Sequence, residues 1–528
     1  MKTKYIYLAA AVLVAVPAFA QETYLDTKLV ENDLNGTARY VGMGGAMEAL
    51  GADISTISTN PAGLGLFRKS QVTLSGGLLM QTGAKKRFEY DGVTGNIGGK
   101  KDNLSFDQVG LVWAIKMENH SMLNLAFQYR KSRNFDQLLN AFGNLGGASQ
   151  SKLAALKYAE VQELKKRGYA SDAKYIWNAV DENFASALGT GAQGLNYLDG
   201  KSYLFGQYQK GYIGEYDFSA SGNINDRVYL GLTVGIHDVN YRSNSYYTEN
   251  YQQGSYGESW EELRMDGTGY DVKLGVIVRP IEASPFRIGG YVNSPIFYDL
   301  DTRGTADLRI TDPASSAAPN YVDKSNGATN DFRVNTPWKF GLSLGHTVGN
   351  FLAFGATYEF ADYSRIDNRY KTGEGWDYYD GYYETSASDK LMNEHTRQTL
   401  KGVSTLKLGL EFKPVSAFAL RVGYNYVSPM FETSGFRDAA VASDGSRTAT
   451  STDYTNWKAT NRLTLGMGYS FKSFFADLAY QYSSTKGDFY PVGNQYLSKA
   501  YNNTVTTPAA TNVKNDRHQL LMTLGYRF

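Results

Sequence analysis

The residues of this chain whose types could do chemistry are few, and none of them stands in a catalytic pattern. His237 is followed by Asp238, a pair of residue types that can exchange a proton. No serine elbow or second histidine stands at a characteristic distance from this pair, and a polar face supplies such pairs by chance. We therefore expect that the protein is not an enzyme.

The sequence also gives little indication of a metal or cofactor site. The 528 residues include no Cys and five His, which excludes disulfides, thiolate metal sites and a cysteine nucleophile. No paired His motif for haem iron is visible. An acidic, Tyr-rich tract at residues 376–384 could bind calcium or carbohydrate, but a solvated loop is the simpler interpretation. We expect neither a metal nor a cofactor.

Phosphate and nucleic-acid recognition are also disfavoured. Gly42, Gly44 and Gly45 are spaced like the glycines of a phosphate-binding loop, but no strand-to-helix unit follows them at the needed distance. The chain has 53 Lys+Arg and 52 Asp+Glu, a net charge of +1. Such a balance gives no basic field that would gather nucleic acid, so we expect no nucleic-acid partner.

Residues 1–20 have the composition of a cleaved signal peptide. Lys2 and Lys4 form a short basic region, residues 5–16 are apolar, and the tripeptide that ends at Ala20 has small residues where a signal peptidase reads. The apolar run is too short for a membrane-spanning helix. We expect cleavage after Ala20 and a mature chain outside the cytoplasm.

Apolar and polar residues alternate through much of the remaining chain. In the last segment Leu520, Met522, Leu524, Tyr526 and Phe528 fall on one side of an extended strand, and mostly small or charged residues fall on the other. The same alternation recurs at residues 338–345, 352–360, 418–426 and 462–471. No later stretch reaches about 18 apolar residues, so the sequence excludes a helical membrane protein.

The alternation predicts fourteen strands. They lie near residues 70–83, 105–117, 121–133, 211–223, 226–243, 261–279, 285–310, 331–346, 350–366, 397–413, 416–431, 459–471, 474–486 and 516–528. Short and long connections alternate. The short ones are at residues 118–120, 224–225, 280–284, 347–349, 414–415 and 472–473, and we expect about seventeen residues or more in each of the others.

This arrangement is typical of an up-and-down transmembrane barrel, with short turns on the periplasmic rim and long loops outside. A soluble sandwich also alternates, but its strands are shorter, near five or six residues. Hydrocarbon offers no partner for a free N–H or C=O, so a sheet there must close on itself. We expect an all-β fold, a 14-stranded antiparallel transmembrane β-barrel of residues 67–528 with apolar side chains outside and polar ones inside.

Two sequence motifs resemble a known family. Residues 36–46, with a Gly-Met-Gly-Gly-Ala block, and residues 52–64, with an Asn-Pro-Ala-Gly block, closely resemble the amino-terminal segment of the FadL/TodX family of outer-membrane transporters for long-chain fatty acids and other hydrophobic compounds. The resemblance implies that residues 21–66 form a hatch, or plug, inside the barrel lumen. The hatch residues that it singles out are Gly42, Gly44, Gly45, Asn60, Pro61 and Ala62.

The carboxyl terminus carries the second resemblance. Leu524, Tyr526 and Phe528 look like the signal by which the barrel assembly machinery recognises outer-membrane proteins. The resemblance therefore implies that this machinery is a partner of the protein. It also implies a location in the outer membrane of a Gram-negative bacterium.

A long insertion has a helical interior at residues 148–192. Residues 151–167 form one apolar stripe, Gly168 can stop the first helix, and Ser171 can cap a second helix. The insertion lies in one of the long connections, so we expect it outside the cell. The two stripes either bury one another over the barrel mouth or leave a groove that captures ligand. The candidate capture residues are Leu153, Leu156, Ile176, Trp177, Val180 and Phe184.

The function implied by the resemblance is passive uptake of hydrophobic small molecules, such as long-chain fatty acids, across an outer membrane. The expected partners are a hydrophobic ligand or lipid, and we expect a monomer. Two alternatives stay open at this point. One is a surface receptor or adhesin whose loops do the work on a barrel anchor, and the other is a general diffusion porin for polar solutes.

Overall fold

The computed structural model describes residues 22–117, 121–168, 176–191, 194–252, 254–311, 320–322, 328–377, 381–438, 441, 443–448, 452–493, 495–496, 505–506 and 508–528. The predicted signal peptide, residues 1–20, lies outside the described residues. The described chain forms one closed antiparallel barrel of fourteen strands around an amino-terminal segment.

The barrel strands are long, as expected for a sheet that crosses a membrane. Their bounds are β1 Gln71–Thr82, β2 Asp102–Lys116, β3 Met122–Asn134, β4 Gly200–Ile224, β5 Val228–Tyr251, β6 Tyr256–Val278, β7 Arg287–Asn293 with Phe297–Thr311, β8 Ala328–Asn335 with Lys339–Val348, β9 Leu352–Asp362 with Asp367–Asp377, β10 Gly381–Ser388 with Gly402–Val415, β11 Phe418–Val427, β12 Tyr454–Phe471, β13 Phe474–Tyr490 and β14 Thr511–Arg527.

Each strand pairs antiparallel with its sequence neighbours, and β1 pairs with β14 to close the barrel. Gln71 lies opposite Arg527 at one end of that seam, and Thr82 lies opposite Asp516 at the other. Because the closed sheet has no open edge, the backbone N–H and C=O groups of every strand pair with a neighbouring strand, and none needs a partner from hydrocarbon. The predicted strand number and closed topology are confirmed.

The predicted connections are wrong in two places. Residues 367–396 are expected to form a long loop between β9 and β10, but Asp367–Asp377 and Gly381–Ser388 pair as strands. Residues 244–260 are expected to form a long loop between β5 and β6, but β5 runs on to Tyr251 and β6 begins at Tyr256. The same extension lengthens β4 to 25 residues. Tyr and charged residues fill these extensions, so the apolar alternation that marked the membrane-spanning part could not mark them.

The two faces of the wall have opposite polarity, as the alternation predicted. Around the lower part of the barrel the outward side chains are large, apolar and exposed, and examples are Leu232, Leu274, Leu342, Leu410, Leu465 and Leu524. Their inward neighbours are polar and buried, among them Thr233, Lys273, Ser343, Glu411, Thr464 and Thr523. We name the outward apolar zone the apolar belt. It is the surface that a bilayer would cover.

Four neighbouring strands are interrupted at similar heights. Pro295 lies in the gap of β7 and Pro337 in the gap of β8, and neither proline can donate to the ladder. A short 3-10 helix, Tyr363–Arg365, breaks β9, and the helix Lys390–Thr399 breaks β10. Beyond the gaps the strands pair again, so on this side the wall has two paired segments, one nearer the short turns and one nearer the long loops.

The described residues form six α-helices besides the barrel strands. They are α1 Thr23–Val30, α2 Ala38–Gly42, α3 Gln150–Lys166, α4 Ala179–Leu188, α5 Lys390–Thr399 and α6 Asp444–Thr448. Short 3-10 helices span Ile54–Ser58 and Pro61–Leu66. The remaining strands are short: Arg87–Tyr90, Val93–Asn96, Gln137–Asn144, Thr190–Gly191, Gly194–Leu195, Asn320–Val322, Gln495–Tyr496 and Val505–Thr506. Among the described helices, none has both the length and the apolar character to cross a membrane.

Candidate functional site

Residues 22–66 fill the lumen, and we name this segment the hatch. Of these residues, all of which the structure describes, only Asn32 is exposed. The end of the hatch at Pro61–Leu66 lies near the short turns, where it contacts the beginning of β5. The other end, α1, lies near the long loops and contacts α5. The hatch therefore runs along the lumen and closes it.

A row of glycines in the wall brings the hatch backbone into direct contact with the sheet. Gly355 lies opposite Gly345 on one side and Gly409 on the other, and Gly409 lies opposite Gly423. A Cβ atom at Gly355 would stand 2.0 Å from the carbonyl oxygen of Ala46, and one at Gly409 would stand 2.3 Å from that of Met43. No side chain fits between wall and hatch along this row.

The predicted hatch glycines complete that contact from the other side. Gly44 and Gly45 have φ angles of +64° and +79°, which L-residues with a Cβ rarely adopt. A Cβ on Gly44 would also lie 2.8 Å from the carbonyl oxygen of Leu408 in β10. Gly42 ends α2, and a Cβ there would lie 3.1 Å from Gly466 Cα. At these glycines the hatch backbone lies too close to its neighbours for a side chain, and the three residues do not form a phosphate loop.

Asn60, Pro61 and Ala62 fix the other end of the hatch. The Asn60 side chain accepts a hydrogen bond from the Ala62 N–H at 3.2 Å and donates one to the Glu48 carbonyl at 3.2 Å. Pro61 begins a 3-10 helix, where its missing N–H costs nothing. Glycines of β5 and β6, Gly231 and Gly275, again leave room for these residues. The Asn-Pro-Ala block is thus a turn held against the wall.

Buried ion pairs add a second set of contacts between hatch and wall. Glu48 Oε1 of the hatch lies 2.8 Å from Lys407 Nζ of β10, and Thr357 donates a hydrogen bond to Glu48 Oε2 at 2.8 Å. Arg39 Nε lies 3.1 Å from Glu411 Oε2. Lys407 also lies near Glu359, and Glu411 near Arg421, so the wall charges stay paired without the hatch, but departure of the hatch still breaks the contacts of Glu48 and Arg39.

The His237–Asp238 pair does not act as a unit. Successive strand residues point to opposite faces, and His237 is buried in the lumen while Asp238 is on the outward side of β5. His237 Nε2 instead lies 3.3 Å from Asp271 Oδ1. Lys273 joins the same network, with Nζ 2.8 Å from Glu215 Oε1 and 2.9 Å from Asp217 Oδ1. The arrangement is a buried ion network of the wall.

The outer half of the lumen contains a large apolar cluster, although the alternation predicts a polar lumen. Inward side chains of the wall pack around Tyr24, Leu29 and Val30 of the hatch. We name this group of wall residues the apolar chamber: Phe135, Ile213, Val239, Tyr241, Met265, Tyr298, Leu300, Phe332, Val334, Ala361, Tyr363, Ile366, Leu400, Val403, Met430, Phe431 and Tyr454. Some inward residues of this half are polar, such as Thr302 and Asn330, but the lining around α1 is mostly apolar, whereas the half near the short turns has the polar lining that the alternation predicts.

Polar contacts to α5 and to the wall accompany the apolar packing of α1. Lys28 donates a hydrogen bond to Gln209 Oε1 at 3.1 Å, and Tyr363 donates one to the Val30 carbonyl at 2.9 Å. Thr23 Oγ1 lies 2.8 Å from His395 Nδ1 and 2.9 Å from Thr396 Oγ1, both on α5. Tyr24 donates a hydrogen bond to Asn456 Oδ1 at 2.8 Å. Below the chamber lies a cavity of about 140 Å³, lined by seven basic and three acidic residues besides neutral ones. The lumen thus offers an apolar compartment beside a basic one.

The helical insertion lies over the barrel mouth. Its first helix is confirmed as α3 with Ser149 as N-cap, and Gly168 follows its end with a φ of +89°. The second helix begins later than expected, because Asn178 caps α4 through a reciprocal bond with Asp181. Ser171, the predicted cap, lies outside the described residues. Ile176 and Trp177 precede α4 instead of belonging to it.

The apolar stripes of the insertion are largely covered. Val180 and Phe184 are buried against inward residues of β7, which are Ala306, Leu308 and Ile310. Ile176 packs on Val161, Leu153 is buried, and Leu156 and Trp177 are half-buried. The six candidate capture residues therefore form contacts within the insertion and with the barrel, and their part in ligand capture stays a prediction.

The carboxyl-terminal residues lie in the closing strand. Leu524, Tyr526 and Phe528 point outward with exposed fractions of 50%, 39% and 62%, and Tyr526 contacts Phe474 with ring centroids 4.8 Å apart. Their side chains form part of the apolar belt beside the seam between β14 and β1. Recognition of these residues by the assembly machinery stays a prediction.

Comparisons with known proteins find solved structures of similar fold at low identity. No family model and no curated protein matches the chain. A FadL homologue of Pseudomonas aeruginosa is 13% identical, with 97% of this chain and 100% of that chain covered and a TM-score of 0.49. The toluene transporter TbuX of Ralstonia pickettii is 13% identical, with 94% of this chain and 99% of that chain covered and a TM-score of 0.47. The toluene transporter TodX of P. putida is 12% identical, with the same coverage of both chains and a TM-score of 0.45.

The wall glycines give a direct test of hatch seating. We expect Gly409→Ala to displace residues 42–46, because the new Cβ would meet backbone atoms that cannot rotate away. The variant should conduct small ions in planar bilayers at several times the wild-type level. Gly290→Ala is the matched control, since its nearest neighbour would be 3.8 Å away. Equal conductance in Gly409→Ala and wild type would contradict the proposed close contact.

The insertion should dock in a pH-dependent way. Glu249, in the extension of β5, is buried and accepts hydrogen bonds from the Gln150 N–H at 3.0 Å and from Tyr251 at 2.8 Å. Burial raises its pKa from 4.5 to about 7, although these donors favour the charged form. Because docking of the insertion adds to the burial of Glu249, the docked state holds the proton more tightly, and docking weakens as pH rises from 4.5 towards 7.

Limited proteolysis of residues 148–192 measures this effect. Wild type should be cut faster at pH 8 than at pH 5, relative to Glu249→Gln at the same pH, because the variant carries no titrating group there. A constant ratio of the two cleavage rates across this range would show that Glu249 does not control docking.

Proposed function

We propose that the protein is an outer-membrane channel for passive uptake of hydrophobic small molecules, such as long-chain fatty acids. The observation that carries this proposal is the apolar chamber inside the barrel. Met265, Leu300 and Phe332 point into the lumen, where a channel for polar solutes would place hydrophilic side chains. An apolar compartment lowers the free energy of an apolar cargo relative to water.

In the proposed mechanism the cargo replaces part of the hatch. Tyr24, Leu29 and Val30 of α1 occupy the apolar chamber, so a ligand of similar size and polarity would compete with them for the same contacts. Displacement of α1 breaks its bonds to α5 and Asn456 and two more to the wall, from Lys28 to Gln209 and from Tyr363 to the Val30 carbonyl. The rest of the hatch must then move as well, since its close contact with the wall glycines leaves no passage.

A general diffusion porin is the weaker alternative. Porins keep a water-filled lumen, whereas residues 22–66 fill this one and half of its lining is apolar. We further propose that the protein resides in the outer membrane of a Gram-negative bacterium as a monomer, after insertion by the barrel assembly machinery. The apolar belt and the carboxyl-terminal Tyr526 and Phe528 support these proposals.

Uptake of labelled oleate by a Gram-negative host that lacks its own fatty-acid channel tests the proposed function. We expect wild type to restore uptake and Met265→Gln combined with Leu300→Asn to lower it several-fold, because each change places an amide in the chamber. Thr302→Ser is the control, because it keeps a hydroxyl at an inward position directly opposite Met265 and adds no amide to the chamber.

Heat-modifiable gel mobility shows that each variant forms a barrel. Uptake by the double variant equal to that of wild type would contradict the role of the chamber. Swelling of wild-type proteoliposomes in small sugars would instead favour the porin.

A further inference from the structure

Four basic residues form one cross-strand row on the outer face of β4–β7. Lys210 lies directly opposite Arg242, Arg242 opposite Arg264, and Arg264 opposite Arg303. All four share the outward face with residues of the apolar belt, such as Ile236 on β5. Direct cross-strand neighbours stand about 5 Å apart, and like charges at that spacing destabilise a sheet. We name these four residues the basic row.

The protein itself compensates the basic row only in part. Arg264 pairs with Glu262, with Nη2 and Oε1 2.7 Å apart. Within the described part of the chain, no ion pair joins Lys210, Arg242 or Arg303 to an acid. Two aspartates, Asp266 and Asp301, stand one row nearer the apolar belt, and Asp266 accepts a hydrogen bond from Asn240. Lys210, Arg242 and Arg303 therefore present charged groups without an ion-pair partner among the described residues, along the outer side of these acids.

The height of the basic row above the apolar belt indicates which kind of lipid headgroup could reach it. Ile236, Tyr270 and Phe297 form the last exposed apolar row on β5–β7. The basic row lies six residues further along each of these strands, which is roughly 15 Å above that row for strands that rise ~3.3 Å per residue with a tilt of ~40°. Phospholipid headgroups extend only about 5–8 Å beyond the hydrocarbon. Their phosphates would lie below the basic row.

We propose that the basic row binds the phosphate and carboxylate groups on the sugar chain of an anionic glycolipid of the outer leaflet, of the lipopolysaccharide type. Only a headgroup of several charged sugars reaches this height while its acyl chains cover the apolar belt. Arginine suits this role, because its planar guanidinium donates two parallel hydrogen bonds to a phosphate or carboxylate. The inference rests on the outer-membrane location proposed above and is independent of the cargo.

Binding of purified rough-type lipopolysaccharide to the full chain in detergent tests the proposal. The variant combines Lys210→Gln, Arg242→Gln and Arg303→Gln, and leaves Arg264 with its partner. The control combines Lys69→Gln, Lys116→Gln and Lys472→Gln, which removes the same charge from exposed positions on the short-turn rim. We expect at least a tenfold loss of affinity in the variant and less than a twofold change in the control.

Two further measurements separate binding from folding. Without lipopolysaccharide the variant should unfold at the same temperature as wild type or higher, because it relieves repulsion between like charges. Arg242→Lys with Arg303→Lys retains the charge and should bind within a few-fold of wild type.

Wild-type affinity in the glutamine variant would overturn the proposal. Displacement of the glycolipid by millimolar inorganic phosphate would also overturn it, because the row would then be a site for a free anion.

Discussion

The whole structure depends on one constraint, that backbone N–H and C=O groups find no partner in hydrocarbon. It forces the sheet to close at the β1–β14 seam and sends every second side chain outward to form the apolar belt. The inward side chains are then left to line a hollow too wide for them to fill. Residues 22–66 fill it, and the row Gly345, Gly355, Gly409 and Gly423 lets their backbone lie directly on the wall.

Two kinds of contact divide the lumen. Near the short turns, close backbone packing and buried pairs such as Glu48 with Lys407 hold the hatch firmly. Near the long loops, α1 rests among apolar side chains and a few hydrogen bonds. The part of the hatch without close backbone packing on the wall glycines thus occupies the compartment that best suits an apolar ligand. Entry of cargo from outside would meet this part first, below the insertion that covers the mouth.

The sequence predicted the barrel because its signals are local. Alternation at Leu520–Phe528 and the short turns follow from strand geometry, and both are confirmed. The apolar chamber escaped prediction because inward residues such as Phe332 and Val334 belong to short segments between polar neighbours. The glycines of the wall were visible in the sequence, but only the fold shows that Gly409 faces Met43. Such contacts join residues hundreds of positions apart, which no local pattern reports.

The central claim is that an apolar cargo takes the place of α1 in the apolar chamber. A crystal structure of the protein with a long-chain fatty acid tests it most directly. We expect density for the acyl chain in contact with Met265 and Leu300, and α1 displaced from its bonds to α5. Fatty acid seen only on the apolar belt, with Tyr24, Leu29 and Val30 still in the chamber, would contradict the account.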